Sequence, residues 1–229
     1  TIFATVAFSI DAMLPALPEI ASELSPDDAN RAQLILTSFV LGMGLGTLVV
    51  GPISDALGRK RVILMGAALY IIGAALAYLA PTLEMILLAR VIQGLGASGP
   101  RVVSLAMIRD LYSGRAMAQI VSYAMLIFTI FPAVAPLIGA AIIAGFGWRS
   151  IFVAFLVFSV LSVGWLALRQ PETLAPEARR PLRAGRIIAD MREAMSHRQM
   201  QLSILTQTLI FTPLFGCIPT PFRIIAFTE

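Results

Sequence analysis

Charge is what this sequence is short of. Asp, Glu, Lys and Arg supply 13% of its 229 residues, about half of the roughly one quarter found in average soluble domains. That shortage excludes an ordinary water-soluble domain before any motif is read. Cysteine is nearly missing as well: Cys217 stands alone, so no internal disulfide framework exists. The one histidine, His197, has no neighbouring ligand type, and a surface position suits it better than a metal site. No nucleophile–base pair and no metal-ligand cluster can be picked out. The sequence therefore predicts no enzyme and no cofactor. It also lacks a cleavable signal pattern, and because Thr1 already lies inside an apolar run, residues upstream of it are expected.

What is abundant is apolar surface, with 58% hydrophobic residues and a mean hydropathy of +0.86. It is gathered into runs at about 2–17, 32–50, 62–80, 83–108, 117–144 and 151–168, with a seventh at 202–222. Each approximates the ~20 residues that cross the ~30 Å hydrocarbon core as a helix. Buried strands are excluded because lipid requires each backbone group to be paired within its own segment. The cations fall between the runs. Arg59, Lys60, Arg61, Arg109, Arg115 and the arginines from Arg169 to Arg198 lie on one side, against Arg31 and Arg149 on the other. The positive-inside bias places the Arg59 loop and the N-terminus in the cytoplasm. The net charge of +4 is then a topology signal and predicts no nucleic-acid partner. An all-α membrane protein in contact with the lipid bilayer is the fold class expected.

The polar island 51–61 interrupts two of these runs. Gly51 and Gly58 are expected to turn the chain, Pro52 to help end the incoming helix, and Arg59, Lys60 and Arg61 to hold the loop at the water. Gly51, Asp55, Gly58, Arg59 and Lys60 resemble the signature loop between helices 2 and 3 of the major facilitator superfamily of transporters. The pattern there is Gly, three residues, Asp, a basic residue, any residue, Gly, Arg, basic, and this chain departs from it at Ala56. The resemblance implies a twelve-helix carrier made of two six-helix halves. It also implies that Asp110, at the end of helix 4, pairs with Arg59, and that Asp55 meets a helix end of the opposite half. Together these contacts would latch the outward-open state; ordinary loop charges are the other reading.

Two further stretches carry ions into lipid depth. Asp11 is followed by Pro15 and Pro18, and Pro15 lacks the N–H that would bond the Asp11 carbonyl, so the helix is expected to open at the acid. A carboxylate there either serves a proton or substrate path or solvates near the outer interface. Arg90 and Gln93 precede Gly94 and Gly96, and Arg101 falls on nearly the same face as Arg90, about 16 Å along the axis. Two arginines so placed should border an aqueous cavity. Gly94, Gly96 and Gly99 match the letters of a dinucleotide fingerprint, but no strand precedes them, so close helix packing is the expectation. Asp11–Pro15–Pro18 and Arg90–Gln93–Gly94 resemble the helix-1 and helix-4 motifs of drug/proton antiporters. That resemblance implies proton or substrate coupling by Asp11, Arg90 and Gln93. Arg101 belongs to no such pattern, and either attracts an anionic substrate group or pairs structurally.

Pro132, Pro136 and Gly139 are expected to kink the fifth helix and make its packing adaptable. With Gly147-Trp148-Arg149 after them, they resemble the bicyclomycin/chloramphenicol resistance subgroup. A faint likeness between Gly58-Arg59 and Gly147-Trp148-Arg149 suggests a three-plus-three inverted repeat. Residues 1–168 are then a six-helix half and 201–229 the start of a second. Between them 169–200 forms a cytoplasmic linker, with an amphipathic helix through Ile187, Ile188, Met191 and Met195. The resemblance implies a proton-coupled exporter of small drug-like compounds in the bacterial inner membrane. Its partners would be protons, a small organic substrate and a second transporter half. An importer or siderophore carrier of the same fold is one alternative; a truncated, non-transporting subunit of a larger membrane complex is another.

Overall fold

A computed structural model of the chain describes residues 2–175 and 195–217, with Glu177, Arg179, Gly185, Ala189, Arg192 and Glu193. The chain divides into two compact units, Thr1–Arg180 and Pro181–Glu229. The first holds α1 (Ile2–Asp11), α2 (Leu17–Leu24), α3 (Leu34–Leu57), α4 (Arg59–Leu79), α5 (Leu83–Leu111), α6 (Gly114–Phe146) and α7 (Ser150–Arg169). Short 3-10 turns at Leu14–Ala16 and Ala29–Gln33 lead into α2 and α3. The second unit holds α8 (Arg198–Cys217). No strand occurs among the described residues. Among the described residues six spans are long and apolar enough to cross a membrane, the first made of α1 and α2 together.

Several boundaries differ from the sequence expectation for identifiable reasons. Pro52 does not end its helix: α3 runs through it to Leu57, since a proline costs an established helix one hydrogen bond and lipid offers the freed carbonyl no alternative. Gly51 is helical too, and the turn falls on Gly58 alone, at φ +103°. The cations Arg59, Lys60 and Arg61 form the first turn of α4 instead of a loop. Pro132 and Pro136 lie inside α6, the single span expected there. The first span continues past 17 to Leu24 as α2. Ile187, Ile188 and Met191 of the expected amphipathic helix lie outside the described residues, as does the end of the seventh run beyond Cys217, while Met195 is helical and exposed.

The packing of the first unit carries the three-plus-three repeat. α3 and α4 pack extensively on α5, α4 packs on α7, and α1 packs on α6, α5 and α7. Exchanging the first three spans with the last three maps α3–α5 onto α6–α1 and leaves α4–α7 unchanged. The turns obey the same exchange. α3 and α6 each end at a glycine with positive φ, Gly58 at +103° and Gly147 at +76°, a conformation that other residues rarely adopt. Between the spans lies a core that includes Phe8, Phe39, Tyr70, Phe152 and Phe155. Outward faces remain apolar: Met65, Leu69, Ile72 and Leu76 are exposed along α4, a helical stripe that faces hydrocarbon as readily as core.

Small residues set how close the spans come. A Cβ on Gly94 would collide with the carbonyl of Phe39 on α3, and one on Gly96 with the backbone of Tyr70 on α4. The sequence expectation of close packing at these glycines is met by direct backbone approach. Gly44, in contrast, has nothing within 4 Å of its would-be Cβ. Gly94→Ala is therefore expected to cost about 1–3 kcal/mol, the usual penalty of overpacking. Gly44→Ala should be neutral, or stabilising by about 0.5–1 kcal/mol because a helix interior prefers alanine. Melting temperatures of the two variants in one detergent check this; equal shifts would refute it.

Candidate functional site

The first span breaks at its acid. α1 ends at Asp11, a 3-10 turn containing Pro15 follows, and α2 restarts at Leu17. Asp11 is half-buried, and no hydrogen bond or ion pair to its carboxylate is found among the described residues. A helix that stops leaves its last carbonyls without backbone donors. Ala12 N–H serves the Phe8 carbonyl at 3.1 Å. The Ser9 carbonyl, two residues before Asp11, is served by a side chain from α5, Arg90 Nη2 at 2.9 Å.

Arg90 is fully buried. Besides Ser9 it donates Nη1 to Gln93 Oε1 at 2.7 Å and Nε to the Ile35 carbonyl at 3.4 Å. Its guanidinium lies 4.4 Å from the Phe39 ring centroid and 5.8 Å from that of Phe155. The sequence suggested an arginine bordering an aqueous cavity. Instead it is sealed among carbonyls and aromatic faces, and these neutral acceptors satisfy its fork. Its link to Asp11 runs through the end of α1. Gln93 is also fully buried, and its Nε2 finds no partner among the described residues. Beside it Ser9 Oγ hydrogen-bonds the Tyr70 hydroxyl and donates to the Thr5 carbonyl, so a polar seam joins α1, α4 and α5. Arg101 departs from Arg90 in kind: it is exposed, and Nη1 approaches only the Met43 thioether, at 3.5 Å, among the described residues.

Gly139 of α6 meets this break from the other side. A Cβ there would collide with the carbonyl of Ala12, so α6 touches the chain at the residue following Asp11. Pro136 sits one turn before it and Pro132 a further turn before. By element, its counterpart under the repeat is Gly42 of α3, whose Cβ would collide with the Val91 carbonyl of α5.

A second group of charges gathers where α3, α5 and α7 end and α4 begins. The Arg59 side chain, 11% exposed, pairs with Asp55 through Nη1 and with Asp110 through Nε at 3.0 Å. Nη1 also reaches Ser54 Oγ at 2.7 Å. Asp55 thus meets Arg59 within this chain. Lys60 Nζ donates to the Ala167 carbonyl at 2.8 Å, near the end of α7. The backbone N–H groups of Arg59, Lys60, Thr173 and Leu174 all point at the Glu172 carboxylate. Burial pushes that carboxyl up, but the hydrogen bonds from Leu174, Lys60, Arg59 and Thr173 outweigh it and hold it below its ordinary value. Glu172 therefore stays ionised through the neutral range. The stability it contributes is present above the ordinary carboxylate value and lost as pH falls through the lowered one.

At the opposite end of the unit Glu23 accepts from Trp148 Nε1 and from Arg149 Nη1, each at 2.6 Å. Arg149 also lies 4.2 Å over the Trp148 ring. This ties the end of α2 to the α6–α7 turn, and Arg31–Glu84 at 2.8 Å ties the 3-10 turn before α3 to α5.

This helical arrangement matches a known architecture. A family model described as Major Facilitator Superfamily covers residues 1–226. The chain belongs to the major facilitator superfamily. Within it, the chain is 36% identical over 217 residues to the MFS-type transporter YdgK of Bacillus subtilis, covering 93% of this chain and 54% of that protein. It is also 36% identical over 181 residues to a bicyclomycin resistance protein homolog of Haemophilus influenzae, covering 77% and 44%. A Pseudomonas aeruginosa chloramphenicol resistance protein matches at 36% over 170 residues, covering 73% and 40%. The chain spans about half the length of these curated relatives. Among solved structures, the Escherichia coli proton:xylose symporter XylE superposes with a TM-score of 0.64 at 16% identity, covering 95% of this chain and 50% of that one. The human organic anion transporter MFSD10 gives 0.61 at 21%, covering 79% and 49%. Likeness at such identities shows the shared superfamily fold, that of a multi-pass membrane protein.

Seen as a superfamily half, the site contains residues that motif reading passed over. Ser54, Ser9 and Tyr70 are buried polar groups on otherwise apolar faces, a signal visible only once the helices are docked. Glu172 follows Pro171 where the last apolar run stops. An acid just beyond a span, in a linker otherwise rich in arginine, was the available hint.

Proposed function

We propose that this chain is part of a proton-coupled carrier that exports small drug-like organic compounds by alternating access. In this reading Asp11 binds and releases the proton, and Arg90, with Gln93, holds the broken helix end that presents it. Arg101 faces the substrate path, and the cluster of Asp55, Gly58, Arg59, Lys60 and Asp110, following Gly51, gates the cytoplasmic side. Gly139, preceded by Pro132 and Pro136, transmits motion of α6 to the acid. Residues 1–168 form one half, 169–200 the linker and 201–229 the start of the other, in a bacterial inner membrane with the N-terminus in the cytoplasm.

The observation that carries this proposal is the half-buried Asp11 carboxylate at an interruption of the first span, with the free carbonyl end of α1 capped by a buried cation. An acid at lipid depth is costly unless it has work to do, and here two further elements are arranged around it. The names of the relatives, with resistance to bicyclomycin and chloramphenicol among them, support a drug-like substrate. The test is a full-length carrier reconstituted in liposomes loaded with a pH-sensitive dye. Adding bicyclomycin or chloramphenicol is expected to drive proton movement, and an imposed pH gradient to drive accumulation. Flux of both compounds that is indifferent to the gradient would overturn the reading.

A further inference from the structure

Helix α4 begins with no cap of its own. Its N-cap residue is Gly58, which has no side chain to offer, and the first turn carries Arg59, Lys60 and Arg61. Both features are unfavourable, since the first N–H groups need acceptors and the positive end of the helix dipole repels cations. The missing acceptor arrives from far along the chain. Glu172 Oε1 accepts from Arg59 N–H at 2.8 Å, and Glu172 Oε2 from Lys60 N–H at 3.2 Å. Thr173 and Leu174 N–H donate to the same Oε1 at 3.0 and 3.2 Å, folding the linker's first residues around the carboxylate. The exchange is reciprocal, because Lys60 Nζ returns a hydrogen bond at 2.8 Å to Ala167, whose carbonyl belongs to the last turn of α7. Each helix end caps the other. A Cβ on Gly58 would stand 2.5 Å from Glu172 Oε2 and displace the carboxylate, at a position whose φ of +103° already favours glycine.

We propose that Glu172 is a positioning residue for transport: by capping α4 it fixes the Arg59 backbone, and so aims the guanidinium at Asp55 and Asp110. The start of the linker thereby becomes part of the six-helix body, and gate and tether move as one piece. Glu172 touches neither substrate nor proton path. Its removal should slow the conformational step without altering the binding cavity. The transport arm of this proposal rests on the function proposed above; the structural arm does not.

The test uses the full-length carrier with Glu172→Ala and Glu172→Gln, read in two ways. Amide hydrogen exchange over residues 58–62 and 172–175 should accelerate by about tenfold in Glu172→Ala. Glu172→Gln should lie in between, since one amide oxygen still accepts. In liposomes Glu172→Ala should lower Vmax about fivefold per inserted molecule, with KM within about twofold of the parent. Unchanged exchange overturns the clasp whatever transport does. Faster exchange with parental Vmax, or a loss explained by protein level alone, overturns the positioning role. If Glu172→Ala cannot be produced, Glu172→Gln carries both readings. If the parent itself moves no test compound, the proposed function is at fault, and exchange still decides the clasp.

Discussion

An Arg90→Met carrier is expected to fold at least as well as the parent and to lose most of its transport. Arg90 is a buried cation whose acceptors, Ser9 O, Ile35 O and Gln93 Oε1, are all neutral. Desolvating a charge without an opposite charge is expensive, and replacing buried ions by apolar groups of similar volume is often neutral or stabilising by about 1–4 kcal/mol. Methionine fills the space between Phe39 and Phe155 with a flexible chain. Two of the three abandoned acceptors are helix carbonyls, which lose one partner and no charge. The cost falls on the Ser9 carbonyl at the broken end of α1, where no backbone donor replaces Nη2. Transport should therefore drop by at least about tenfold while the melting temperature in detergent holds or rises, the pattern expected where a strained site trades stability for activity. Arg90→Lys is the informative partner. One ammonium cannot reproduce a planar fork toward three acceptors, so it should lose transport and also lower the melting temperature. Transport surviving in Arg90→Met would show that the cap does not matter.

The second large effect belongs to Asp11. Asp11→Asn keeps the shape and most of the hydrogen-bonding capacity of the side chain and removes only the exchangeable charge. It is expected to abolish accumulation driven by a pH gradient, by about tenfold or more, while substrate binding measured at equilibrium changes by no more than a few fold. Asp11→Glu should restore only part of the activity, because a longer side chain must fit where Gly139 presses α6 against Ala12. Gradient-driven accumulation by Asp11→Asn at the parental rate would remove the acid from the mechanism and with it the proton coupling.

Much of this was legible in the sequence because lipid imposes simple rules. Runs of about twenty apolar residues had to be helices, and their number gave the six spans of the first unit. The break at Asp11 could be read from Pro15 in the same way, since a missing N–H has a fixed position in the ladder. Pro52 was misleading for a related reason: a proline tells which bond is lost, and whether the helix stops there depends on what replaces the bond. The environment of Arg90 was beyond pattern reading. The helical wheel placed it on one face with Arg101, yet α5 contacts different neighbours at the two depths, so one guanidinium is sealed and the other exposed. Glu172 was hidden by distance, 113 residues from the amide of Arg59 that it accepts, a separation that no local period reports.

The joint in the first span has a mechanical consequence. A single straight rod that pivots inside a bilayer must swing its two ends in opposite directions, so opening one mouth closes the other by leverage alone. Two rods meeting at residues 12–16 escape that rigid coupling: in the proposed cycle a tilt of Leu17–Leu24 would carry the α6–α7 turn with it through Glu23, while Ile2–Asp11 keeps its seat against α5 and α7. In the proposed alternating-access cycle, keeping both mouths from opening at once would then fall to the unjointed levers, α3 and α5, pressed backbone to backbone at Gly94.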